Sequence, residues 1–208
     1  MKQCDDDLIR FGRAASDAGL MSSTCGNASL RLDADRMVIT ASGAPLAALT
    51  PDALSVVALT DGAHLAGPRP SMEAEIHRRA YLRRPDVNAV LHCQSQGATL
   101  LACMQDPPLN LDLIPEIPAY VRRHAYAPWA MPGSLALAEG VEQALLDPDV
   151  TVVQMVNHGQ VILGASWAQA IRRGTFFELA AWMASRGVPL RTIPEHDAEA
   201  LRAMTRGV

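Results

Sequence analysis

Apolar positions along this chain switch between a helical period and a two-residue period, and the switches predict its elements. From Asp6 to Ala18, Leu8, Ile9, Phe11 and Ala15 share one helical face behind the acids Asp5–Asp7. Gly19 and Ser22–Thr24 close that helix. Strands are expected at Ala28–Leu32 and Met37–Thr40 around a loop at Asp33–Arg36, and at Leu54–Leu59 before an Asp61-Gly62 turn. Thr50-Pro51-Asp52 opens a short helical turn, since proline suits a first helical position. A helix is expected over Glu73–Leu82, with Ser71 placed to cap it and Glu73, Ile76, His77 and Ala80 on one stripe. Pro85 stops it.

The apolar run from Val87 to Ser95, VNAVLHCQS, reads as a buried strand ending in polar chemistry. His92 and Gln94 face one way, roughly 6–7 Å apart along the backbone, and Cys93 the other. Helices follow over Gly97–Met104, over Leu135–Leu146 behind a Pro132-Gly133-Ser134 cap, and over Trp167–Met183. Between the first two of these, Gln105–Tyr126 is proline-rich and aperiodic, so it reads as a loop with short pieces of structure, covering one side of a site. Strands Thr151–Val156 and Gln160–Leu163 flank Asn157-His158-Gly159. Beyond Val188 an extended arm or short strand leads into a polar helix. Strands thus arrive as hairpins and singly between helices. The expected fold is α/β, a single domain over 1–208 with a central, mostly antiparallel sheet flanked by helices, a core over about 8–185 and a C-terminal arm over 188–208.

Composition narrows the function classes. Apolar residues make up 49% of the 208, enough for a sizeable core, and charged residues only 19%. The net charge is −4. The arginines come as pairs (Arg78-Arg79, Arg83-Arg84, Arg122-Arg123, Arg172-Arg173), read as solvated helix edges, so no nucleic-acid partner is expected. No stretch has the pattern of a signal peptide or the length of a membrane span, so a cytoplasmic protein without a membrane partner is expected. Cys4, Cys25, Cys93 and Cys103 show no CxxC spacing and are expected to be reduced.

The candidate chemistry lies at strand and helix ends. His92 and His158 are imidazoles at the ends of two apolar strands, and Glu73 sits in the first turn of its helix. Singly, each has an ordinary reading: a core histidine, a turn residue, an acid favoured by the helix dipole. Together they compose a metal site with a carboxylate of tunable pKa beside it, which acid–base chemistry requires. Gly26-Asn27, Ser42-Gly43 and Ser71 are small polar turns whose N–H and hydroxyl groups suit an anion.

GNASLR, ITASG, PSMEAEIH, VLHCQS, APWAMPGS and NHGQVILG, in that order, resemble the class II aldolase/adducin family over nearly the whole chain. The resemblance implies a divalent metal, a small-molecule substrate and a homo-oligomer, often a tetramer with sites between subunits. It implies that Glu73 is the catalytic acid/base, that His92 and His158 are two metal ligands, and that Gly26, Asn27, Ser42, Gly43 and Ser71 bind the substrate phosphate. Three positions depart from the pattern. Gln94 stands where the third histidine ligand is usual; an amide oxygen is a poorer zinc ligand, so zinc is the first expectation and manganese the harder alternative. Met72 replaces a serine. Trp129 aligns with a tyrosine reached from the neighbouring subunit, for which Tyr126 and Tyr120 are the nearby substitutes. The implied activity is a metal-dependent carbon–carbon lyase, an aldolase acting on a sugar phosphate, sugar acid or hydroxy-keto acid. The alternatives are a decarboxylase in the same site or a non-catalytic adducin-like assembly module.

Overall fold

The computed structural model describes residues 2–21 and 25–205. In chain order the elements are α1 (Lys2–Asp17), β1 (Asn27–Arg31), β2 (Arg36–Thr40), β3 (Leu54–Ala58), β4 (His64–Ala66), α2 (Ala74–Arg83) and β5 (Ala89–Cys93). They continue with α3 (Gln96–Ala102), β6 (Arg123–Ala127), α4 (Leu135–Ala144), β7 (Val150–Met155), β8 (Gly159–Gly164), α5 (Trp167–Ala184) and α6 (Glu195–Met204). The strands form one sheet in the order β4-β3-β2-β1-β5-β8-β7-β6. Every pairing is antiparallel except β6 with β7. This is the α/β fold with a mostly antiparallel sheet that the hydrophobic pattern predicts.

Alternation along the strands divides the core between two faces. Ala28, Leu30, Ala89, Leu91 and Cys93 pack with Leu8 and Phe11 of α1, Leu101 of α3 and Phe177 of α5. Val90, Val153, Val161 and Leu163 pack on the other side with Ile76 and Ala80 of α2 and Leu137 and Val141 of α4. Helices cover both faces, so β5, β7 and β8 are buried along their whole length. That is why they read as continuous apolar runs and not as alternating ones. No helix among the described residues is long and apolar enough to cross a membrane.

Several elements differ from the sequence pattern. α1 starts at Lys2, four residues earlier than the expected start at Asp6, and Ser22–Thr24, expected to close it, lie outside the described residues. β4 is exposed throughout and carries no burial signal. The short pieces of structure expected within the proline-rich stretch, whose type and place the pattern left open, are a wide helical turn, Ile117–Val121, and strand β6. The stretch's buried residues Leu111, Ile117 and Val121 join the layer of α1, α3 and α5. It therefore packs on the face away from α2. The arginine pairs are not all solvated edges: Arg84 is buried, with its guanidinium on Asp86 and the Val150 carbonyl.

Two imidazoles are held neutral inside the fold. Burial pushes His124, packed between Tyr126 and Phe177, down to about 4. Burial, and then repulsion from His92, pushes His77 down to about 3. The unfolded chain, with imidazoles near 6.5, binds more protons than the native one below that value. Their contribution to stability is therefore complete above about pH 6.5 and drains away as the pH falls towards the folded values. Urea unfolding midpoints measured from pH 7.5 to 4.5 should fall steadily below pH 6.5, and His124→Phe should flatten part of that slope.

Candidate functional site

The site forms on the α2 face of the sheet, where β1 and β5 set Asn27 opposite His92. The β7–β8 hairpin adds His158. Asn157 takes the left-handed conformation at φ 54°, which asparagine tolerates better than most residues. The Val156 and Asn157 N–H groups donate to the carbonyls of Ala127 and Ala102 at 3.0 Å each, so the turn is pinned on both sides. At Gly159 an added Cβ would lie 2.5 Å from the Cys93 carbonyl oxygen. Only glycine lets β8 close on β5 there.

Glu73 immediately precedes α2. Its N–H donates to Ser71 Oγ at 3.2 Å. Ser71 is thus not the residue flanking the helix, as its predicted capping role would require; Glu73 holds that place. Glu73 Oε2 accepts from Asn27 Nδ2 at 3.0 Å and lies 3.3 Å from His92 Nε2. Oε1 lies 3.4 Å from His158 Nε2 and is buried without a hydrogen bond. The two imidazole rings stand 4.9 Å apart. One ligand atom from each of the three residues falls within 4.8 Å of the others.

The donors and acceptors are mismatched in a way a cation would correct. His92 Nδ1 is 3.0 Å from the Gln160 carbonyl oxygen, which can only accept, so Nδ1 carries the hydrogen. In the neutral ring Nε2 is then a lone pair aimed at a carboxylate oxygen. Burial, and then repulsion from His92, hold His158 below the usual imidazole value, against the pull of Glu73. Two imidazoles and a carboxylate, with one ring oriented by a carbonyl behind it, are a donor set that can hold a divalent ion.

The family model for the class II aldolase and adducin N-terminal domain matches residues 6–185. The chain belongs to the class II aldolase and adducin family. It is 31% identical over 166 residues to a 3-oxo-tetronate 4-phosphate decarboxylase from Haemophilus influenzae, covering 78% of each chain. It is 32% identical over 158 residues to an L-fuculose phosphate aldolase from Methanocaldococcus jannaschii, covering 76% of this chain and 82% of that one. Among solved structures, YgbL from Klebsiella pneumoniae superposes with a TM-score of 0.88 at 27% identity, over 97% of this chain and 98% of that one.

Within this family fold, a buried polar chain stands behind Glu73. His77 Nε2 is 2.6 Å from Asn27 Oδ1, and His77 Nδ1 is 2.7 Å from Ser29 Oγ, itself 2.8 Å from Tyr81 Oη. With Asn27 Nδ2 donating to Glu73, Asn27 Oδ1 can only accept, so His77 carries its hydrogen on Nε2. Its Nδ1 must then accept from Ser29, and Ser29 in turn accepts from Tyr81. Every donor points towards Glu73, and the asparagine cannot be turned over without breaking two bonds. The sequence reading missed Ser29, Tyr81 and the function of His77. The available signal was spacing: polar residues at 73, 77 and 81 recur every four along α2, and 27 and 29 alternate on β1. His77→Phe should orphan Asn27 Oδ1 and Ser29 Oγ, costing about 1–3 kcal/mol for each. Chemical denaturation checks this.

The other predicted residues lie around this centre in different ways. Gly26, at φ 118°, would place a Cβ 2.6 Å from the His92 carbonyl oxygen, so close packing against β5 already requires glycine. The isolated bridge between Ala41 and Pro70 sets Ser42-Gly43 beside Ser71, whose N–H donates to the Thr40 carbonyl at 3.0 Å. Gln94 follows β5 and packs its Cγ by Gly159, beside the hairpin that carries His158. Trp129 is exposed on the loop between β6 and α4, and Gly133 of that loop contacts Met72. Tyr126 approaches the Pro108 carbonyl at 3.5 Å, and burial pushes its hydroxyl up to about 12. Tyr120 stacks on Phe176, far from Glu73 at the other end of the sheet. Cys93 points into the opposite core, where burial raises its thiol well out of the nucleophilic range.

Proposed function

We propose that this chain is a metal-dependent carbon–carbon lyase acting beside the carbonyl of a small, acidic or phosphorylated hydroxy- or oxo-compound. The observation that carries the reading is Glu73, with one oxygen tied to Asn27 and the other unbonded between His92 and His158. His92 and His158 would hold the ion, with Gln94 near enough in sequence to add an amide oxygen. When bound, a divalent ion supplies Lewis-acid stabilisation of negative charge on the substrate carbonyl oxygen. Glu73 Oε1 has a free lone pair in a buried setting, which suits it to hold a proton and deliver it to the carbon that the leaving group departs from; that proton comes from the substrate hydroxyl in aldol cleavage and from solvent in decarboxylation. Asn27 fixes the carboxylate so that Oε1 faces the reacting group. Ser42, Gly43 and Ser71, brought side by side, offer N–H and hydroxyl donors to a phosphate or carboxylate at the far end of the substrate.

Aldol cleavage and decarboxylation share this chemistry, since each leaves an electron pair beside the carbonyl. They differ in the departing group. Aldol cleavage removes a proton from a hydroxyl, for which a second titrating group is useful; loss of carbon dioxide needs none. Trp129, where family aldolases carry a tyrosine, favours decarboxylation: its indole N–H donates but does not titrate at ordinary pH. The 3-oxo-tetronate 4-phosphate decarboxylase relative supports the same choice. A tetramer with sites shared between subunits is part of the proposal.

The test is a paired assay on metal-stripped protein reloaded with zinc or manganese. Carbon dioxide release is followed from 3-oxo acid 4-phosphates, and aldehyde release from ketose 1-phosphates. Turnover of the oxo acids should exceed that of the ketose phosphates by at least about tenfold, equivalent to ~1.4 kcal/mol in the barrier. Activity that persists unchanged after complete removal of divalent ions would sink the proposal.

A further inference from the structure

Three of the four arginine pairs send side chains into one cleft at the end of the sheet opposite Glu73. The cleft, about 570 Å³, lies where β5, β6 and β7 begin and β8 ends; Arg84, Arg122, Arg172 and Arg173 line it together with Asp86, Asp149, Tyr120 and Gln169. His92 and His158 sit at the other ends of β5 and β8. Among the described residues, four guanidinium groups therefore face two carboxylates.

The two carboxylates are already engaged. Arg84 holds both Asp86 oxygens, at 2.8 Å each, and Arg122 pairs with Asp149. Among the described residues no carboxylate pairs with Arg172 or Arg173. Arg173 is fixed by neutral acceptors only, its Nε on the Tyr120 carbonyl at 3.0 Å and its Nη1 on the Leu163 carbonyl at 2.6 Å. Arg172 lays its guanidinium over the Tyr120 ring at 4.5 Å, leaving its Nε buried without a hydrogen bond. Arg122 Nε is buried and unbonded too. Burial, and then repulsion from Arg84 and Arg122, pull Arg173 down to about 10 despite Asp86.

We propose that this cleft binds a small molecule through an oxyanion, a phosphate or carboxylate group received by Arg172 and Arg173. An anion would neutralise the excess guanidinium charge and accept from donors that the fold leaves unpaired. Guanidinium is suited to this because its planar fork matches such groups with two parallel hydrogen bonds. The volume exceeds that of a bare anion and falls in the range of small-molecule sites. The site is separate from the proposed reaction centre, so its occupant need not be the substrate.

The experiment is isothermal titration calorimetry of the intact chain with inorganic phosphate and, separately, with malonate, at an ionic strength matched by chloride. At least one anion should bind saturably. Arg172→Gln should weaken that binding at least about tenfold, the effect of losing ~1.4 kcal/mol. Arg172→Lys, which keeps charge but not the fork, should fall in between. Ser71→Ala, which alters the anion cradle of the proposed active site, should remove only binding at that centre; the saturable binding that persists in it is the binding assigned to the cleft. Thermal unfolding of each variant shows whether lost binding reflects lost structure. Phosphate binding tighter than malonate assigns a phosphoryl ligand, and the reverse a carboxylate. Saturable binding of neither anion, or binding abolished by Ser71→Ala and untouched in folded Arg172→Gln and Arg172→Lys, overturns the proposal without bearing on the lyase reading.

Discussion

His92→Ala should leave a folded protein that no longer retains a divalent ion and has lost at least about a thousandfold in kcat. His92 stands at the meeting point of three constraints. Its backbone is paired with Asn27 on one side and Val161 on the other, its Nδ1 is committed to the Gln160 carbonyl, and its Nε2 faces Glu73. Lewis-acid stabilisation of developing charge is worth several kcal/mol, and each ~1.4 kcal/mol is a factor of ten, so loss of the ion sets the thousandfold scale. The deletion also orphans the Gln160 carbonyl, for about 1–3 kcal/mol of stability. Elemental analysis of tag-free wild type and variant, beside kcat for each, reads both effects. Equal metal content in the two proteins would remove His92 from the ligand set.

The second large effect is expected from Glu73→Gln, with a fall in kcat of about 10²- to 10⁴-fold, the usual contribution of a general acid–base group. The amide is nearly isosteric. Its oxygen can still accept from Asn27, so the network behind it should survive and KM should change little. The variant keeps His92 and His158, so it should also keep its ion. This separates two functions that geometry alone leaves joined, because Oε1 and Oε2 each lie near an imidazole nitrogen. A glutamine variant that is inactive and holds stoichiometric metal identifies Glu73 as the proton carrier. One that loses the metal makes it a ligand instead.

Much of this molecule was legible along the chain because its signals are local. The runs at Val87–Cys93, Thr151–Val156 and Gln160–Leu163 are predominantly apolar, as strands buried on both faces tend to be, and they became β5, β7 and β8 with small shifts at their ends. The turn at Asn157-His158-Gly159 announced itself by residues that tolerate left-handed backbone or close approach. β4 and β6 were missed for a physical reason: β4 is exposed on both faces and β6 is mixed, so neither carries a two-residue period. The cysteines read as reduced are all free.

The residue types for the candidate site could be chosen from the sequence, but their combination could not. Nothing linear says that Asn27 lies opposite His92, or that His77 puts one ring nitrogen on the asparagine that holds Glu73 and the other on Ser29. Nor does the spacing of arginines say that Arg84, Arg122 and Arg172-Arg173 belong to one cleft; adjacent charges look solvated until the elements that carry or flank them are packed together. By itself the sequence determined the order of the elements other than β4 and β6, the sheet's mostly antiparallel character and the family, since these follow from periodicity and from motifs within a few residues. Only the tertiary structure decided which polar groups are paired and which are left bare. Pairing depends on distances between residues far apart in the chain, and those distances exist only once the two faces of the sheet have been packed.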